Sequence, residues 1–356
     1  MRLPSPGVLP VLGGVFVFAA FEMSACLVPS LLPRDFQTHR AKQLLSTQFT
    51  AEDPELGYAL KVPFSREFHW GDFRLSTRHI PFPGQDLFGY RETPGSSLED
   101  AEIVVLGDSL VYAMEVNAEQ TWPGLLGRLG NLKVANLGVA GYGSSQMLGL
   151  FKRYASSCRP KLVIAFVHAD APVKDFYLRS WTEDRASGRL HPGQTRFNDY
   201  IHQNEMGLPS PLFKMAKTLS RHSLFFKTAI PVMLMVLRSP QARINAVERG
   251  SPILRENIIG LSDRVRRSGA AFFVVLEPSW LRADGSGPTA EFTRFLKDAR
   301  IPFADLGPLF EKNSHQRLRL ALDPHWNAAG HALVAEEVFG KLKRLGLIPV
   351  RASAPD

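Results

Sequence analysis

The chain has 356 residues, of which 45% are apolar, 10% aromatic and 21% charged, a profile that excludes a wholly disordered chain. Two cysteines, Cys26 and Cys158, exclude a disulfide-built scaffold and any cysteine-rich zinc module. The net charge of +8 is dispersed over Arg264/Arg266/Arg267, Arg317/Arg319 and Lys341/Lys343/Arg344, spaced as solvated helix faces are, with no nucleic-acid module beside them.

In chain order, Gly7 to Phe21 is an uncharged apolar run of 15 residues. As a helix it spans about 22 Å, short of a hydrocarbon core of about 30 Å. Carried past Glu22 to Leu32 it becomes long enough to cross, so residues 1–32 are expected to be a single N-terminal membrane anchor. A cleaved signal peptide and a lipoprotein signal through Cys26 are the rivals; no well-placed pair of small residues follows the run, and Glu22 suits the lipidation motif poorly. Arg2 on one side, against Arg34, Arg40 and Lys42 on the other, does not choose an orientation. Residues 33–100 are expected to form a juxtamembrane and lead-in segment, polar and partly helical at first, then rich in Pro, Gly and aromatics in the manner of turns and short strands.

From 101 to 350 strands alternate with helices. Buried strands are predicted at Ile103–Leu106, Leu132–Asn136, Leu162–Val167, Ala271–Leu276 and Pro302–Asp305. Helix starts are predicted at Thr121, Ser144, Ser251–Pro252 and Asn327. The pattern implies a mostly parallel five-stranded sheet within a three-layer α/β/α sandwich, of flavodoxin-like type. The segment 171–250 interrupts the alternation. Its apolar second half reads as ordinary core, or else as a lid or an interfacial helix against a bilayer.

Two turns carry chemistry. The first strand runs into Gly107-Asp108-Ser109, which sets a serine at the carboxyl edge of the sheet, where open α/β folds bind ligands. Asp323-Pro-His325 precedes the final helix at the same edge. His325 suits a general base, and Asp323, two residues earlier, suits the group that orients it. Either turn alone is a weak signal; the two together point to nucleophilic catalysis.

These blocks resemble the SGNH/GDSL hydrolase superfamily, in particular its membrane-anchored bacterial members. Ile103–Leu110 is similar to the first block, with Ser109 in the nucleophile position. Asn136-Leu-Gly-Val-Ala-Gly-Tyr-Gly143 is similar to the second, with Gly141 as an oxyanion-hole donor beside the Ser109 N–H. Asp323–Asn327 is similar to the last, with the Asp323–His325 pair. Asp86-Leu-Phe-Gly-Tyr-Arg91 resembles the segment that often precedes the first block in anchored members.

One block departs. The family's third strand ends in Gly-x-Asn-Asp, whose Asn donates to the oxyanion; here the stretch is Val167-His168-Ala169-Asp170. Ala169 stands in the Asn position, and loss of one such donor costs roughly 10²–10³ in turnover. His168 and a backbone N–H are the candidate substitutes.

The resemblance implies a serine ester hydrolase without metal or organic cofactor. Its substrate would be an acyl ester, that of a cell-envelope glycan or lipid among them, and its catalytic domain would stand outside the cytoplasm on a single-pass anchor. O-acyl transfer, or a catalytically weak glycan-binding or assembly component, are the alternatives. Expected partners are therefore the acyl-ester or glycan substrate and the membrane, not nucleic acid. Glu277 and Trp280 follow a strand and are read as pocket-lining or packing residues alike. His331 is read as packing or surface.

Overall fold

The computed structural model describes residues 49–70, 73–190, 240–277, 288–320 and 323–349, with scattered positions in 14–42 and 197–218. Strand side chains alternate between two faces, and the central strands are apolar on both. In β6 (Ile103–Gly107), Ile103 and Val105 face one hydrophobic cluster while Val104 and Leu106 face the other. The same division holds in β8 (Leu162–Val167) and β9 (Ala271–Leu276): Ile164, Phe166, Phe273 and Val275 on one side, Val163, Ala165, Val274 and Leu276 on the other. Such strands require helices on both faces.

The first cluster is covered by α2 (Trp122–Gly130) and by α8 (Ala328–Arg344), which follows the short α7 (Gly307–Lys312), through residues such as Trp122, Leu126, Val334 and Val338. The second is covered by α3 (Ser144–Leu150), α4 (Ala171–Ala186), α5 (Pro240–Arg267) and α6 (Pro288–Asp298), with Leu150, Trp181, Ile258 and Leu296 inside it. Caps start the two helices of the first face: Thr121 Oγ1 accepts from the Gly124 N–H at 3.1 Å, and the Asn327 side chain accepts from the Gly330 N–H at 3.0 Å.

The parallel part of the sheet runs β7 (Val134–Gly138), β6, β8, β9 and β10 (Phe303–Asp305). The sheet does not end there, which corrects the expected five-stranded, mostly parallel arrangement. It is mixed, with ten strands among the described residues. The added strands come from the lead-in segment: β1 (Thr50–Asp53), β2 (Gly57–Lys61), β3 (Phe64–Trp70), β4 (Phe73–Pro81) and β5 (Phe88–Arg91). All pair antiparallel, and β5 joins β7 through the Arg91–Asn136 pair. Short strands were expected in this segment, but not their pairing onto the central sheet. Gly89 sits inside β5, paired with Leu60 on one side and Pro81 on the other, where a Cβ would lie 2.1 Å from the Ile80 carbonyl oxygen.

The expected N-terminal membrane anchor is also corrected, and with it the single-pass location with an extracytoplasmic catalytic domain and the membrane as partner. Among the described residues no helix is long and apolar enough to cross a membrane. The physical reason is in the run itself: its uncharged part is only 15 residues, and crossing required carrying the Glu22 carboxylate into it. Most of residues 1–32 lie outside the described residues. Most of the apolar segment read as a lid, around 228–237, lies outside them too.

Helix α5 begins at Pro240, well before the predicted start at Ser251–Pro252, and carries Pro252 in its interior. Pro252 is on the exposed face, where water can serve the carbonyl that lacks an N–H partner.

Candidate active site

The Ser109 turn is tight because glycines let backbone meet backbone. Ser109 opens α1 (Ser109–Tyr112), and the Asp108 carboxylate caps it by accepting from the Leu110 N–H at 3.0 Å. A Cβ on Gly138 would lie 2.4 Å from the Tyr112 nitrogen, so the end of β7 accepts α1 directly against it only as glycine. Asn136, fully buried, clamps the same junction: its Nδ2 donates to the Val111 carbonyl at 2.8 Å and its Oδ1 accepts from the Gly138 N–H at 3.0 Å. The buried Arg91 guanidinium donates to the carbonyls of Tyr112 and Ala113, and to that of Val116 at 2.6 Å. A four-residue helix leaves such carbonyls without intrahelical partners.

His325 and Asp323 lie on a short strand, β12 (Asp323–Trp326), paired with β11 (Arg319–Leu320), and not on the expected loop. The period of two explains the Asp-x-His spacing: Asp323 and His325 share one side, while Trp326 turns into the core against Phe166 and Phe310.

His325 Nε2 lies 2.8 Å from Ser109 Oγ. Its Nδ1 contacts Asp323 Oδ1, which also accepts from the His325 backbone N–H at 3.0 Å. Burial alone would push the Asp323 carboxyl up; the hydrogen bond from His325 and the charge of Lys42 outweigh it and hold Asp323 far below the usual carboxylate range. An ionised Asp323 accepts a hydrogen bond from Nδ1–H, which leaves Nε2 as the acceptor facing the serine hydroxyl.

Two groups that the sequence did not reveal complete the cluster. Lys42 Nζ donates to Asp323 Oδ2 at 2.8 Å, contacts Glu115 Oε1, and lies 3.2 Å from His325 Nδ1. Glu115, in the turn after α1, has its side chain 2% exposed and its Oε1 3.7 Å from His325 Nδ1. Burial pulls His325 down, but Glu115 and Asp323 overcome both burial and Lys42, leaving its pKa above the ordinary 6.5. Ligand atoms of Glu115, Asp323 and His325 lie within 4.8 Å of one another, the grouping a cation could use. The Lys42 ammonium already touches all three. Lys42 is 67 positions from Ser109 in the chain, and Glu115 fits no motif spacing, so neither carried a readable signal.

The remaining expected site residues are arranged differently. Gly141 lies in the turn after β7 at φ +83°, a conformation that favours glycine, and a Cβ there would sit 2.6 Å from the Tyr58 hydroxyl. That hydroxyl donates to the neighbouring Ala140 carbonyl at 2.6 Å. His168 Nδ1 accepts from the Asp170 N–H at 3.0 Å, so its proton sits on Nε2, 3.9 Å from the buried Glu277 carboxylate. Asp170 pairs with Arg243 of α5. Ala169 packs against the core and offers no side-chain donor. His331 is buried in α8, and Trp280 lies outside the described residues.

No protein-family model matches the chain, and no curated protein does. Among solved structures it is similar to TesA, at 16% identity over 68% of this chain and 98% of that one, with a TM-score of 0.39. It is also similar to a GDSL-like lipase from Bacteroides thetaiotaomicron, at 11% identity over 70% and 91%, TM-score 0.37. A mutant of Axe2, an acetyl-xylooligosaccharide esterase from Geobacillus Stearmophilus, matches at 12% identity over 73% and 100%, TM-score 0.39. Likenesses this weak carry no argument about chemistry, which rests on the residues above. The expected assignment to the membrane-anchored branch of the SGNH/GDSL hydrolases is corrected: no family model matches, and no span exists among the described residues.

Proposed function

We propose that this chain is a serine-dependent hydrolase of acyl esters, working in the manner of the GDSL enzymes that its Ser109 and His325 blocks resemble. Ser109 Oγ attacks the acyl carbonyl as His325 Nε2 takes the hydroxyl proton, with Asp323 holding the imidazole in the required tautomer. Backbone N–H groups of Ser109 and Gly141 are the oxyanion donors in this reading. The alkoxide leaves with the proton from His325. Water then attacks the acyl-serine, His325 takes its proton, and the acid departs as Ser109 recovers its hydrogen. The observation that carries the reading is the 2.8 Å contact of His325 Nε2 with Ser109 Oγ, backed by Asp323 on Nδ1.

The test is labelling of the full chain with a fluorophosphonate probe, beside Ser109→Ala. Rapid labelling that disappears in the variant supports the reading; equal labelling of both, or none of a folded sample that also fails to hydrolyse p-nitrophenyl acetate, overturns it.

A second reading, a site of low hydrolytic power that transfers acyl groups or only binds glycan, draws on Ala169. Ala169→Asn separates the two. A rise in ester hydrolysis of roughly 10²-fold or more favours the weakened site; an unchanged rate means that other donors already serve the oxyanion.

A further inference from the structure

We propose that Lys42 and Glu115 are positioning residues of this reaction: a buried ion pair, delivered from the chain ahead of the sheet and from the turn after α1, that anchors Asp323 on His325 and balances the charge created when His325 takes the serine proton. The inference rests on the reading of His325 as general base.

The geometry makes the pair part of the relay rather than a neighbour of it. Asp323 uses both oxygens, Oδ1 on His325 and Oδ2 on Lys42 Nζ at 2.8 Å, so the ammonium fixes the carboxylate plane that orients the imidazole. With the Nδ1 proton committed to Asp323, the 3.2 Å approach of Lys42 Nζ to Nδ1 sets two donors face to face and opposes the imidazolium. Glu115 Oε1, 3.7 Å from the same nitrogen, favours it.

The charge count follows. At rest Asp323, Glu115 and Lys42 sum to one net negative charge around a neutral His325. Proton transfer from Ser109 brings the cluster to zero. Without Glu115 the same step would create a buried net positive charge, and the base would be weak. Without Lys42 two carboxylates would face the imidazole and hold it protonated at rest, unable to accept the serine proton. The pair thus keeps His325 between too weak and already occupied. Other charged groups acting on this cluster are Asp108 ahead of Ser109 and His331 of α8, which face His325, and Arg91 of β5, which acts on Glu115. None of them changes in the variants below.

The test uses the full chain with two readouts: the acid limb of the pH profile of kcat/KM for p-nitrophenyl acetate, and the NMR titration of the His325 imidazole. Glu115→Gln is expected to move both downward by about one pH unit or more, and Lys42→Met to move both upward by a similar amount. Lys42→Arg, which keeps the charge, should stay near the parent. The double variant should return toward the parent, because the two losses oppose one another. A single variant that unfolds while the double variant folds reports the same coupling.

Acid limbs and titrations that do not move, or a double variant that only adds the two effects in one direction, overturn the inference while leaving the hydrolase reading intact. A parent chain that hydrolyses nothing, yet shows the expected His325 titrations, overturns the hydrolase reading and leaves the pair's hold on His325 standing.

Discussion

Replacing His325 with alanine should lower turnover of an activated ester by roughly 10³- to 10⁶-fold, since the serine hydroxyl loses the base that takes its proton. The chain should still fold. His325 lies on the two-strand hairpin at the edge of the sheet, and the core contacts of that hairpin are made by Trp326. The residual rate should also lose its acid limb. In the parent, neutral His325 is the active form and its pKa is raised above 6.5 by Glu115 and Asp323 against burial. A raised value keeps the imidazole protonated to higher pH, so activity is complete above that value and falls as pH drops through it. The limb therefore lies on the alkaline side of an ordinary histidine. Rates of p-nitrophenyl acetate hydrolysis across the neutral range, for parent and variant, check both parts. A variant that keeps the parent's rate would remove His325 from the mechanism.

Arg91→Met should be the most destabilising of the single changes considered. Arg91 is fully buried and partners three carbonyls at the end of the Ser109 helix, those of Tyr112, Ala113 and Val116. Methionine fills much of the volume but donates nothing. The Ala113 carbonyl keeps the Val116 N–H at 3.3 Å, but those of Tyr112 and Val116 are left without a donor, at about 1–3 kcal/mol each. Removing the cation also removes its own desolvation cost, which places the net loss at about 2–4 kcal/mol, a large part of the ~5–15 kcal/mol that a domain has. Arg91→Lys should recover only part, because a single ammonium cannot reproduce the planar fork that reaches three acceptors. Urea denaturation of the two variants and the parent measures this. The surviving folded fraction of Arg91→Met should label poorly with fluorophosphonate, because Ser109 is the first residue of the helix that Arg91 holds. A midpoint within experimental error of the parent would show that these carbonyls are served in another way.

Much of the central sheet was legible because its signals are local. A strand apolar on both faces, such as Leu162–Val167, needs only its own six residues to announce that helices cover it twice. Thr121 and Asn327 marked helix starts through caps that act within three residues. The Asp323–His325 pair was readable as a motif, whereas the extended chain that puts both residues on one side was expected to be a loop.

The strands of 50–91 were less legible, because their pairing decides them and their Pro- and Gly-rich turns resemble irregular chain. The apolar N-terminal run was read as a span by hydropathy alone, and its uncharged part is only 15 residues.

The sequence by itself determined the alternation of buried strands and capped helices, the turn that bears Ser109 and the two-residue spacing of Asp323 and His325. Both are consequences of periodicities and hydrogen bonds that close within a few residues. Only the tertiary structure decided that the sheet extends through β5, that Arg91 holds the serine helix, and that Lys42 and Glu115 flank the histidine. Those contacts join residues up to 283 positions apart, as Lys42 and His325 are. A buried charge is set by what folding brings around it, and that has no local signature.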